Sequence, residues 1–131
     1  MPVFSKESEM RLSSCHYDLQ VLFREVIKYF DCSILWGYRD EENQNKFFEL
    51  GQSQKKYPDS LHNQTPSLAV DVAPYPIDWK DENRFRYFAG FVMGIAATLN
   101  IPIRWGGDWD RDTEIKDNKF NDLGHFEIIR Q

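Results

Sequence analysis

Cysteine is scarce in this chain, with only Cys15 and Cys32 among 131 residues. Two thiols cannot make the disulfide framework of a small secreted scaffold, so a hydrophobic core must hold the fold. Both are read as free, buried thiols packing as small hydrophobes, with a bridge between them left open. Positive charge is in deficit: 16 Lys and Arg face 21 Asp and Glu, for a net charge of −5. The basic residues are scattered, and the pair Lys55-Lys56 falls in a loop. That excludes a nucleic-acid partner, since neutralising phosphates takes clustered cations. No apolar run reaches the roughly 20 residues of a membrane span. Met1-Pro2-Val3-Phe4-Ser5-Lys6-Glu7 lacks the apolar stretch of a secretory signal. The expectation is a protein made in the cytoplasm without stable membrane association. Histidine is rare too, at three residues, so a site that uses two of them is a specific proposal.

Apolar and aromatic residues are plentiful, at 41% and 15%, enough for one core. Residues 1–131 are therefore expected to form a single domain. Leu19, Leu22, Phe23, Val26, Ile27 and Phe30 recur at helical spacing and predict a core-facing helix over about 18–30. The segment Ser13–Asp18 before it is rich in capping residues, and His16 is read as a capping or surface histidine. Cys32–Trp36 reads as a short strand ending at Gly37-Tyr38-Arg39. Asp40 caps a second helix that Gly51 stops. Gln52–Pro66 is a polar loop long enough to suggest function, and it carries His62. A strand over 67–73 puts Val70 and Val72 on one face and Ala69, Asp71 and Ala73 on the other. Asp81 caps the longest helix, over about 82–99, followed by a strand at Ile103–Trp105 and a charged, turn-like segment over 110–121. In the last strand His125 and Glu127 share one face, while Phe126 and Ile128 share the other.

A carboxylate flanked by alanines in an apolar strand is costly without a cation, which makes Asp71 conspicuous. His125 sits on a strand's polar face with Asp122 three residues upstream. Two His and one Asp are a ligand set zinc takes in catalytic sites, which keep one position open. The residues alone also admit a bland reading, in which His62 is solvated, Asp71 pairs with Arg39 or Arg104, and His125 hydrogen-bonds in the sheet.

In chain order, Ser60-Leu61-His62, Ala69-Val70-Asp71-Val72, Trp105-Gly106-Gly107-Asp108-Trp109 and Asp122-Leu123-Gly124-His125-Phe126-Glu127 closely resemble the signature of a zinc peptidase family. It is the D-alanyl-D-alanine carboxypeptidase and L-alanyl-D-glutamate endopeptidase family, which cuts bacterial peptidoglycan stem peptides and includes small phage endolysins. Gly37-Tyr38-Arg39 with Gln44 resembles its Gly-Tyr-Arg segment and following glutamine, so the likeness spans about 18–129. The resemblance implies a Hedgehog/D,D-peptidase-like α+β fold, a small antiparallel sheet with helices on one face and a zinc cleft on the other. It implies His62, Asp71 and His125 as zinc ligands, Asp122 as general base, and Arg39 as the group that holds the scissile carbonyl. Ser60, Gln44, Trp105 and Asp108 are the candidates for substrate contact. Ser60 reads equally as a turn residue, and Trp105 and Trp109 equally as core. Glu127 is either a partner of a ligand histidine or a surface glutamate.

One departure is the spacing of the first two ligands. His62 and Asp71 are nine residues apart, with Thr65-Pro66 between them, where the family's more usual spacing is shorter and includes a glycine. The function expected is a zinc-dependent endopeptidase of L-alanyl-D-glutamate type. It would be a monomer acting on stem peptides in the cell wall, in the host periplasm if phage-encoded. A D-alanyl-D-alanine carboxypeptidase or dipeptidase is the alternative among enzymes. A non-catalytic zinc-binding domain of the same fold is the alternative outside them, and the presence of both Asp122 and Arg39 favours catalysis.

Overall fold

Period-two patterning yields a four-stranded antiparallel sheet in a computed structural model of the protein, which describes residues 1–114 and 122–129. Its strands are β1 (Cys32–Trp36), β2 (Ala69–Pro74), β3 (Ile103–Trp105) and β4 (His125–Ile128), in the spatial order β1-β2-β4-β3. Asp71 stands opposite His125, Ala69 opposite Glu127, and Arg104 opposite Glu127. Opposed residues share a face, so Asp71, His125, Glu127 and Arg104 gather on one side of the sheet. Val70, Val72, Ile103, Trp105 and Phe126 go to the other side and join the core.

Two helices cover that apolar face. α2 (Tyr17–Val26) contributes Phe23 and α4 (Glu82–Thr98) contributes Phe88. The fully buried Phe126 ring meets them edge-on at 5.5 and 6.3 Å. The caps act as the sequence suggests, with Asp81 accepting the Arg84 N–H at 3.2 Å and His16 Nδ1 accepting the Asp18 N–H at 3.0 Å. α2 ends at Val26, short of the predicted Phe30, because the chain turns toward β1 over the next three residues.

α1 (Lys6–Ser13) has no counterpart in the apolar pattern, since Ser8 and Leu12 are its buried residues. It lies along the outer edge of β1, where Ser8 Oγ accepts the Ile34 N–H at 3.0 Å and Arg11 donates to the Ile34 carbonyl at 3.2 Å. A strand edge open to pairing with other chains is thereby occupied. α3 (Glu41–Glu49) flanks the polar side of the sheet, so the helices are shared between a face, an edge and a flank. Gly51, at φ +74°, ends α3 as expected.

Cys15 and Cys32 are free and buried, and burial pushes both thiols up to about 12. No helix among the described residues is long and apolar enough to cross a membrane. Of the charged segment 110–121, residues 115–121 lie outside the described residues.

Candidate active site

His62 reaches the polar face of the sheet from a single 3₁₀ turn, Leu61–Asn63, inside the long loop. Ser60 caps that turn through Oγ, which accepts the His62 N–H at 3.2 Å, and Asn63 Oδ1 returns the favour to the Ser60 N–H at 3.1 Å. Reciprocal capping of this kind fixes a turn that has no ladder of its own. Asn63 also donates to the Arg39 carbonyl at 2.9 Å, and the Arg39 N–H donates to the His62 carbonyl at 2.8 Å. The loop is thus stitched to the segment after β1. Only glycine fits at position 37, where a Cβ would lie 2.2 Å from the Arg11 carbonyl oxygen.

The rings of His62 and His125 sit with centroids 5.2 Å apart beside Asp71. His62 Nδ1 lies 2.8 Å from the Gly37 carbonyl, and His125 Nε2 lies 2.7 Å from Glu127 Oε1. Each of these far nitrogens must be the N–H donor, because its partner can only accept. The near nitrogens of neutral rings therefore carry lone pairs, His62 Nε2 at 3.2 Å and His125 Nδ1 at 3.1 Å from the same Asp71 Oδ1. Three acceptors converge on one point, within 4.8 Å of one another, and could hold a metal ion. The other Asp71 oxygen is turned away by Arg39, whose Nη2 donates to Oδ2 at 2.9 Å.

The titration of these groups shows the same demand for positive charge. Burial would raise Asp71, but His62 and His125 hold it well below the usual carboxylate range. Burial would lower His125, yet its bonds to Asp71 and Glu127 push it up to about 10. Burial would raise Glu127, but His125 and Arg104 bring it down to about 2. In the absence of a cation, protons must separate these acceptors, and a metal would take their place.

Asp122 enters beside this cluster, its Oδ2 3.9 Å from His125 Nδ1. Its backbone is pinned from two sides, by the Asp122 N–H to the Gly106 carbonyl at 2.9 Å and the His125 N–H to the Asp122 carbonyl at 3.1 Å. Gly106 allows the approach, since a Cβ there would fall 2.1 Å from the Asp122 carbonyl oxygen. Burial and the Asp71 charge hold the Asp122 carboxyl above its ordinary range. The Arg39 guanidinium packs against the rings of Trp36 and Phe47, 4.9 and 4.3 Å from their centroids, and the two rings meet each other edge-on at 5.5 Å. A bulge between Ile34 and Trp36 sets Trp36 opposite Asp71 and so turns it to this face. Arg39 Nε is buried with no hydrogen-bond partner among the described residues.

A cleft of about 790 Å³ opens over these groups, lined by Arg39, Ser60, His62, Trp109, Asp122 and His125 among others. Three residues expected to touch substrate are placed elsewhere. Trp105 is in the core because β3 alternates it with Arg104, and its indole N–H donates to the Leu123 carbonyl at 2.8 Å. Asp108 spends its carboxylate on the backbone N–H groups of Thr113, at 2.9 Å, and Asp112, at 3.3 Å. Gln44, fully buried, accepts from Arg39 Nη1 at 3.1 Å and donates to the Lys55 carbonyl at 2.7 Å, supporting the arginine from behind. Asn63, Trp36 and Phe47 escaped the sequence reading. Asn63 follows Ser60 at the capping-box interval, a readable signal, whereas nothing in the sequence marks the bulge that recruits Trp36.

The family profile described as phage L-alanyl-D-glutamate peptidase matches residues 2–129. The crystal structure of the Serratia marcescens L-Ala D-Glu endopeptidase ChiX superposes with a TM-score of 0.75 at 26% identity, covering 97% of this chain and 90% of that one. A comparison with curated proteins found no significant match. With its fold and nearly its whole length in agreement, the chain belongs to the phage L-alanyl-D-glutamate peptidase family.

Proposed function

We propose that the chain is a zinc-dependent endopeptidase that hydrolyses the L-alanyl–D-glutamate bond of peptidoglycan stem peptides in the cell wall. The observation that carries the metal is the convergence of His62 Nε2, Asp71 Oδ1 and His125 Nδ1, with both far ring nitrogens already committed as donors. Two imidazoles and one carboxylate suit zinc, which these three residues would hold at the wall of the cleft. When bound there, zinc supplies Lewis acidity, which activates water and polarises a carbonyl.

The chain's own residues do the rest. Asp122, beside His125, takes a proton from the attacking water and passes it to the amine of the departing glutamyl residue, so that water's hydroxyl ends on the alanyl carbonyl carbon. Arg39, packed against two rings and backed by Gln44, supplies fixed positive charge for the carbonyl oxygen as it gains charge. Glu127 keeps the His125 ring in the tautomer that presents Nδ1. A purely structural metal site would not need Asp122 and Arg39 facing the same cleft.

Elemental analysis of gently purified protein tests the metal, with an expected zinc content near one per chain. Dialysis against a chelator should remove cleavage of purified peptidoglycan, and added zinc should restore it. Full activity in metal-free protein would sink the reading.

A further inference from the structure

We propose that Arg104 is a positioning residue that locks the metal ligand His125 through Glu127 and holds the cleft wall against the same ring through Trp109. The inference rests on the metal-centre reading above. Arg104 Nη2 and Nε donate to Glu127 Oε2 at 2.7 and 3.3 Å, and the other Glu127 oxygen receives His125 Nε2 at 2.7 Å. The remaining arm, Nη1, donates to the Trp109 carbonyl at 3.3 Å. The Trp109 ring lines the cleft and lies 5.3 Å from the His125 ring. The contacts close a circuit of Arg104, Glu127, His125 and Trp109.

A cross-strand Arg–Glu pair in its ordinary role would neutralise a carboxylate and end there. Here Glu127 is only 7% exposed, and its second oxygen accepts the N–H of the proposed ligand His125. Stripped of Arg104, Glu127 would be a buried charge facing a neutral N–H, and turning out to water would relieve it. His125 would then lose the acceptor that fixes its ring. A planar fork with three separated nitrogens can serve Glu127 and the Trp109 carbonyl together, which a lysine ammonium cannot.

The test measures zinc affinity by competition with a chromophoric chelator, using full-length metal-free protein. Wild type, Arg104→Gln, Arg104→Lys, Glu127→Ala and the Arg104→Gln/Glu127→Ala double variant are compared. Partners of metal ligands typically cost about 10- to 100-fold in affinity when removed. Arg104→Gln should weaken binding on the order of 10-fold, and Arg104→Lys should fall between it and wild type. The double variant should bind no more weakly than Glu127→Ala alone, because both changes break one path. Unchanged affinity in a folded Arg104→Gln protein, or losses that multiply in the double variant, overturns the proposal. Should Arg104→Gln fail to fold, the charge-retaining Arg104→Lys carries the comparison, and wild-type affinity in it is the overturning result. Failure of wild-type protein to bind zinc at all would instead bring down the metal reading itself.

Discussion

We assign proton transfer to Asp122 because, among the described residues, the other acids beside His62 and His125 are already engaged while Asp122 Oδ2 stands 3.9 Å from His125 Nδ1. Asp71 is committed to the rings and Arg39, and Glu127 to His125 and Arg104. General acid–base groups contribute roughly 10²–10⁴-fold to rate. Asp122→Ala should therefore lower cleavage of purified peptidoglycan by at least about 10²-fold while leaving the zinc content near one per chain. Elemental analysis alongside the assay checks both halves, and loss of zinc together with activity would recast Asp122 as part of the metal's cradle.

At the scale of elements, the site depends on how a loop without strand or long helix is held. Gln44 on α3 is the tie, bonded at one end to Arg39 and Asn63 and at the other to Lys55 and Ser53. Replacing it with leucine keeps most of the volume but leaves buried donors and acceptors unpaired, at a cost of about 1–3 kcal/mol. Urea denaturation of Gln44→Leu should show that loss, and its cleavage rate should fall further than its stability explains, because Arg39 loses its backing. A variant as active as wild type would remove Gln44 from the support of the site. The same elements show what a sequence can disclose. Val70/Val72 and Phe126/Ile128 alternate with Asp71 and His125/Glu127, so the strands and their polar face were legible from period two. The caps Asp40, Asp81 and His16 were legible from residue type. α1 was not, because its binding to β1 runs through Ser8 and Arg11 rather than through an apolar stripe. His62, Asp71 and His125 stand out by residue type, but the residues alone also leave Asp71 free to pair with Arg39, which in the structure it does, and only the resemblance favours the ligand reading. Trp105 takes the core alternative and Asp108 turns to the backbone, because a motif names neighbours in sequence while the pleat of β3 and the turn after it decide where each side chain goes.

For the molecule as a whole, one core sets the geometry of the cleft, because β2 and β4, which carry Asp71 and His125, bury their other side in it. Phe126 joins the cleft to the core: its neighbours His125 and Glu127 look into the cleft while its ring packs on Phe23 and Phe88 on the opposite face of the sheet. Phe126→Ala should cost about 3–5 kcal/mol, measured as a shift of the urea midpoint at unchanged slope. A loss below about 1 kcal/mol would mean the core does not tie β4 to α2 and α4 as described, since cavities of this size cost several times that. The central claim concerns the bond that the whole assembly cuts. Mass spectrometry of muropeptides after digestion by the zinc-loaded protein tests it most directly. The expected products end in alanine on the glycan side and begin with a free glutamyl amine on the peptide side. Release of terminal D-alanine with the alanyl–glutamate bond intact, or no new termini from fully loaded enzyme, would contradict it.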